Sequence, residues 1–184
     1  MLSRVKRTIE NSVEPITRII YKLHIKPNHL TILACVLSII TGYLIASGKI
    51  VCGVILLSIT GLLDMLDGAL AKNHGMTTRF GEFLDSVCDR FTDGAILIGI
   101  GILSGEWILA SIAIVIGALV SYTKAKGEKI LGVDYSVGIM ERSERLIVIL
   151  IGLLFNYIRE ALIIVIVFSF ITIIQRILYV KKRI

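Results

Sequence analysis

The run Ile50-Val51-Cys52-Gly53-Val54-Ile55-Leu56-Leu57-Ser58-Ile59-Thr60-Gly61-Leu62-Leu63-Asp64-Met65-Leu66-Asp67-Gly68-Ala69-Leu70 is long and apolar enough to cross a bilayer, and it carries two aspartates at its far end. A hydrocarbon core of roughly 30 Å needs about 20 apolar residues per helix. Five more runs of this kind lie along the chain, one before it and four after: Leu30 to Ala46, Phe80 to Leu103, Trp107 to Tyr122, Leu146 to Tyr157 with a few residues before it, and Ala161 to Tyr179. The expected fold is an all-α membrane protein of six transmembrane helices. With 184 residues, 55% of them hydrophobic, and a mean hydropathy of +0.86, no length remains for a soluble domain of ordinary composition. Before the first span, Val5, Ile9, Val13, Ile16, Ile19, Ile20 and Leu23 recur near helical spacing among charged residues. They predict an amphipathic helix lying in the membrane interface, with a break near Pro15. The chain therefore reads as one domain, with residues 1–26 as the interfacial segment and 27–184 as a six-helix bundle.

The net charge of +6 is distributed by topology and does not suggest nucleic acid. Basic residues crowd the N-terminal segment, the turn with Lys72 and Arg79, the segment from Lys124 to Arg145, and the tail Lys181-Lys182-Arg183. The intervening turns hold Lys49, nothing, and Arg159. Under the positive-inside rule both termini are cytoplasmic, the number of spans is even, and the chain is a multi-pass protein of the cell membrane. The first apolar run follows a long polar, basic stretch, so no cleavable signal peptide is expected. Cys35, Cys52 and Cys88 lie inside apolar runs without metal-ligand spacing and read as small packed hydrophobes.

Acids inside apolar runs are the exception that demands a reason. Asp64 and Asp67 stand at i, i+3, and Asp85 and Asp89 at i, i+4, so each pair shares a helix face. An aspartate in mid-span costs about 2.5–3.5 kcal/mol on insertion scales. A hard divalent cation offsets that cost, and four carboxylates suit two ions, which together can clamp the attacking and leaving oxygens of a displacement at phosphorus. Two other uses are a salt-bridge network with Lys72, Arg79 and Arg90, and an ion pathway through a cation transporter. The small residues Gly68, Ala71 and Gly81 count against both, because they strip the acidic faces of side chains and admit a bulky ligand to the backbone.

These residues resemble the signature of the CDP-alcohol phosphotransferase family, D-x-x-D-G-x-x-A-R, eight residues, then G-x-x-x-D-x-x-x-D. Here it reads Asp64, Asp67, Gly68, Ala71, Lys72, Gly81, Asp85 and Asp89, with Lys72 where the family usually has arginine. Lysine keeps the charge and loses the bidentate fork. The resemblance implies a membrane phosphotransferase of six helices, often a homodimer, with its active site open to the cytoplasm. It implies that Asp64, Asp67, Asp85 and Asp89 bind two Mg²⁺ ions, with Mn²⁺ as the alternative, and that Asp89 is also the catalytic base. It assigns contacts with the CDP-lipid to Asn28, His29, Leu30, Thr31, Asp64, Gly68, Ala71, Lys72, Thr78, Gly81 and Asp85. Pro27 and Asn28 also serve as a helix start.

Further cations gather at the cytoplasmic helix ends: Ser121 and Tyr122 lead into Lys124 and Lys126, Arg142 and Arg145 open the fifth span, and Arg176 lies in the last turns of the sixth. Converging cations of this kind hold a phosphate dianion, which makes the acceptor alcohol itself a phosphomonoester. The segments 120–126 and 141–147 resemble the branch of the family that makes phosphatidylinositol phosphate in some bacteria and archaetidylinositol phosphate in archaea. That resemblance implies an inositol phosphate acceptor held by Ser121, Lys124, Lys126, Arg142, Arg145 and Arg176. The isoleucine-rich composition and the 141–145 segment resemble archaeal members, implying CDP-archaeol as the donor and membrane lipids as the surroundings. A sister transferase acting on glycerol phosphate, serine or another alcohol is the alternative.

Overall fold

The computed structural model describes residues 13–184, and all regular structure among them is helical. Residues 13–22 form α1, followed by α2 (Pro27–Ala46), α3 (Ile50–Asn73), α4 (Arg79–Ser104), α5 (Trp107–Leu131), α6 (Arg142–Leu154) and α7 (Ile158–Lys181). Each predicted apolar run therefore falls on a helix, although α6 stops at Leu154, before the expected end at Tyr157. Four of them, α2, α3, α5 and α7, are long and apolar enough to cross a membrane. The other two depart from the expectation for different reasons. α4 carries Glu82, Asp85, Asp89, Arg90 and Asp93 among its first 15 residues, and α6 has only 13 residues, roughly 20 Å at 1.5 Å per residue.

Side-chain placement is that of a protein solvated by lipid. Large apolar groups such as Ile39, Tyr43, Val51, Ile108, Val115 and Phe170 face outward, while Ser38, Thr41, Thr60, Ser169 and Thr172 are buried. Several of the buried hydroxyls bond their own helix, as Ser38 does to the Cys35 carbonyl at 2.6 Å and Thr60 to that of Leu57 at 2.8 Å. In water such an outward apolar surface would be an aggregation site, whereas in a bilayer it costs nothing and the small polar residues let helices approach.

The chain forms two compact units. Among the described residues, the first comprises 13–40 together with Ile55–Thr92, and the second Thr41–Val54 with Asp93–Ile184. In the first, α1 carries Pro15 without a break, buries Val13 and Thr17, and exposes Ile16 and Ile19, with exposed Leu23 directly after it. Val5 and Ile9, named above for the same helix, lie outside the described residues. The ring of Tyr21 stacks on His74 at 4.3 Å between centroids and 5° between planes. In the second unit, α2 and α4 meet backbone to backbone, because a Cβ on Gly42 would fall on the Ala95 carbonyl oxygen and one on Gly99 on that of Gly42. The connection 132–141 packs back onto the helices. Tyr135 Oη donates to the Thr123 carbonyl at 3.0 Å, and the Met140 N–H donates to Thr172 Oγ1 at 3.0 Å. Burial raises the Tyr135 pKa above its usual value, which keeps the phenol a donor.

Candidate active site

Within the first unit, α3 and α4 bring three aspartates together. Ligand oxygens of Asp64, Asp85 and Asp89 all lie within 4.8 Å of one another, and all three side chains are half-buried. The i, i+4 spacing on α4 aims Asp85 and Asp89 to one side, and Asp64 meets them from the last turns of α3. Such a hard oxygen donor set fits a divalent cation. Arg90 approaches Asp89 at 3.8 Å. Asp67, one turn along α3, stands outside this group of three. It is 5% exposed and accepts a hydrogen bond from Thr31 Oγ1 at 2.6 Å.

A cavity of about 250 Å³ opens between Asp67 and Asp85, lined by Pro27, Asn28, Thr31, Gly68, Ala71, Lys72, Met76, Thr77, Thr78, Gly81 and Glu82. Eight residues assigned above to the CDP-lipid line it, namely Asn28, Thr31, Gly68, Ala71, Lys72, Thr78, Gly81 and Asp85. Nothing stands within 4 Å of the place a Cβ would take on Gly68, so the α3 backbone faces open space there. The turn after α3 is closed by Gly75 in the left-handed region, φ 62°, with the Met76 N–H donating to the Ala71 carbonyl at 2.8 Å. Thr78 then caps α4, its Oγ1 accepting from the Gly81 N–H at 3.0 Å. The positive end of the α4 dipole thus borders the cavity, a favourable setting for phosphate.

Three other residues assigned to the CDP-lipid lie off this lining. Leu30 is buried in the core, Asp64 belongs to the carboxylate group, and His29 starts α2, its Nδ1 accepting from the Lys26 N–H at 3.4 Å. Glu82, Met76 and Thr77 are lining residues that the sequence pattern did not single out.

In the second unit, Arg142 and Arg145 come together on Asp93, Arg142 Nε donating to Oδ1 at 3.3 Å and Arg145 Nη2 to Oδ2 at 2.8 Å. Arg176 is 2% exposed. Its Nε donates to the Val137 carbonyl at 2.8 Å, its Nη1 to the Val120 carbonyl, and its Nη2 to Glu141 Oε1 at 3.3 Å. Ser121 and Lys124 are half-buried on α5. Lys126 and Arg176 both line a second cavity of about 450 Å³, together with Tyr122, Ile177 and Lys181. The sequence reading did not single out Asp93 and Glu141, the acids that organise these arginines.

The family model for CDP-alcohol phosphatidyltransferase matches residues 24–178, which takes in both clusters. This chain belongs to the CDP-alcohol phosphatidyltransferase family. It is a membrane transferase of phospholipid biosynthesis, and the transporter reading of its aspartates falls. Archaetidylinositol phosphate synthase of Pyrococcus horikoshii is 37% identical over 186 residues, covering 100% of this chain and 98% of that one. Among solved structures, the Mycobacterium tuberculosis phosphatidylinositol phosphate synthase with CDP-DAG bound matches with a TM-score of 0.80 at 33% identity, over 90% of this chain and 92% of that one. The same enzyme in complex with manganese and citrate matches with a TM-score of 0.81 at 32% identity, over 90% and 87%. The phosphotransferase signature and the cavity lined by most of its residues therefore describe the same place.

Proposed function

We propose that this CDP-alcohol phosphatidyltransferase moves the phosphatidyl-type group of a CDP-lipid, CDP-archaeol in preference to CDP-diacylglycerol, onto a hydroxyl of an inositol phosphate, with release of CMP. The observation that carries this reading is the cavity of about 250 Å³ beside the carboxylates, since small residues at Gly68, Ala71 and Gly81 line it and the backbone at Gly68 is open to a ligand. The names of the Pyrococcus and Mycobacterium relatives support the inositol phosphate acceptor, and the first of them supports the ether-lipid donor.

In this reading Lys72 and the α4 N-terminus hold the diphosphate, and Asn28 and Thr31 border the nucleotide. Asp89 takes the proton from the attacking hydroxyl as the new O–P bond forms and the bond to CMP breaks. Two Mg²⁺ ions, or Mn²⁺ as in the manganese complex of the relative, held by Asp64, Asp67, Asp85 and Asp89 would supply charge neutralisation and Lewis acidity at the phosphoryl group. Arg142 and Arg145, with Ser121, Lys124, Lys126 and Arg176 near the same helix ends, hold the acceptor's phosphate. The chain is a homodimer in the cell membrane, a single domain with residues 1–26 in the interface and six crossings between 27 and 184, and both termini and the site face the cytoplasm.

One observation favours the sister transferase instead. Arg176 already gives its donors to two carbonyls and to Glu141, which removes a cation from the acceptor site. An acceptor panel separates the two. CMP release from CDP-archaeol and from CDP-diacylglycerol is measured with inositol phosphate, inositol, glycerol phosphate and serine. The proposal expects turnover with inositol phosphate alone, and equal turnover with free inositol or serine would replace it by the sister reading.

A further inference from the structure

Asp93 follows Asp89 by one turn on α4, and neither the phosphotransferase signature nor the chemistry proposed above gives it a role. It divides its carboxylate between two arginines of α6, Oδ1 facing Arg142 Nε at 3.3 Å and Oδ2 facing Arg145 Nη2 at 2.8 Å. This arrangement ties the two guanidiniums side by side, because each oxygen takes one N–H from one of them. Arg145 is held from a second direction. A Cβ on Gly117 would lie 3.7 Å from its Nε and 3.8 Å from its Cζ, so the guanidinium rests against the bare backbone of α5. Its side chain is 5% exposed, yet its Nη1 is buried without a hydrogen-bond partner. Buried donors are nearly always satisfied, most of all charged ones, so a rigidly held guanidinium with an idle N–H is ready for an acceptor oxygen that arrives with a ligand.

We propose that Asp93 is a positioning residue for the acceptor. It locks Arg142 and Arg145 into one fork whose remaining donors, Arg145 Nη1 among them, receive the oxygens of a phosphomonoester dianion. This rests on the reading that the acceptor carries a phosphate. Asp93 itself stays away from the phosphate, which its charge repels.

Steady-state kinetics on the full chain in bilayer discs test this. Inositol 1-phosphate and CDP-archaeol are varied separately for the wild type, Asp93→Asn, Asp93→Glu, Arg142→Gln and Arg145→Gln. Both Asp93 variants are expected to raise the acceptor KM by roughly tenfold or more, the scale of one lost charge-assisted bond, and to leave the CDP-lipid KM within about twofold. Asp93→Glu decides between positioning and charge balance, since it keeps the charge and shifts the fork by one methylene, and it serves alone if Asp93→Asn does not fold. A wild-type acceptor KM in Asp93→Glu would overturn the positioning role. If the arginine variants raise the acceptor KM and the Asp93 variants do not, the phosphate site stands and the proposal falls. If none of the four raises it, the phosphate-site reading fails and takes the proposal with it.

Discussion

Gly68 and Gly81 stand in different surroundings although both belong to the family signature. At Gly81 a Cβ would meet Thr78 Oγ1 at 3.0 Å and Asn28 Oδ1 at 3.1 Å, whereas at Gly68 it would meet nothing. Gly68→Leu should therefore fold normally and fill the cavity, raising the CDP-lipid KM with little change in thermal unfolding. An unchanged KM would remove the cavity from the donor site. The carboxylates give a second test at this scale. Without a cation Asp64, Asp85 and Asp89 repel one another across less than 4.8 Å. Asp64→Asn should raise the unfolding temperature of the cation-free chain, by about 2–4 °C per ~1 kcal/mol of relieved repulsion, while abolishing turnover and the stabilisation that added Mg²⁺ gives the wild type. A lower unfolding temperature without cation would contradict the clustered charges. The aspartates were legible in the sequence because an acid in an apolar run has a cost that must be met. Asp93 stands in the same apolar run and carries the same cost, but its use was not legible, since its partners Arg142 and Arg145 are 49 and 52 residues away and no local spacing announces them. Nor could composition tell that the guanidinium of Arg176 is engaged by backbone carbonyls.

The elements follow their local chemistry closely. Pro27 begins α2, Gly75 closes α3, Gly132 at φ 67° closes α5, and Thr78 begins α4. Thr78 has two roles in one position, the cap of α4 and a wall of the donor cavity. Thr78→Ala should cost about 1 kcal/mol of stability through the lost cap and also raise the CDP-lipid KM, whereas Thr78→Ser restores both. Loss of stability with an unchanged KM would leave Thr78 a purely structural residue. The helices could be read from sequence because apolar runs of this length have no alternative in lipid. The count of crossings could not, because charge on α4 and brevity on α6 leave only packing to decide it.

At the scale of the molecule, α6 presents a mismatch, roughly 20 Å of helix against a hydrocarbon core of about 30 Å. If α6 crosses, as proposed, the connection before it supplies the remainder. Residues 132–141 do not stay at the end of α7 but fold back along it, the Met140 N–H bonding Thr172 and the Val137 carbonyl bonding Arg176. Thr172 lies nine residues before Lys181, roughly 14 Å from the end of α7 at 1.5 Å per residue, so α6 starts that far inside and ends level with the first turn of α7. Non-helical backbone is tolerated at such depth only where protein groups or a water-filled cavity satisfy it, and Thr172 and Arg176 do so here for Met140 and Val137. The proposed six crossings require the short helix to complete a crossing that the loop begins, and they put the basic tail at Lys181 on the side of Lys124, Lys126 and Lys129, in keeping with the positive-inside rule. Single cysteines introduced after replacing Cys35, Cys52 and Cys88 test this in oriented vesicles with a membrane-impermeant thiol reagent. Asp134→Cys and Ile184→Cys should react from the cytoplasmic face and Phe155→Cys from the opposite one. Reaction of Phe155→Cys from the cytoplasmic face would make α6 a hairpin that never crosses, and the site built on Arg142 and Arg145 would then need another route to its acceptor.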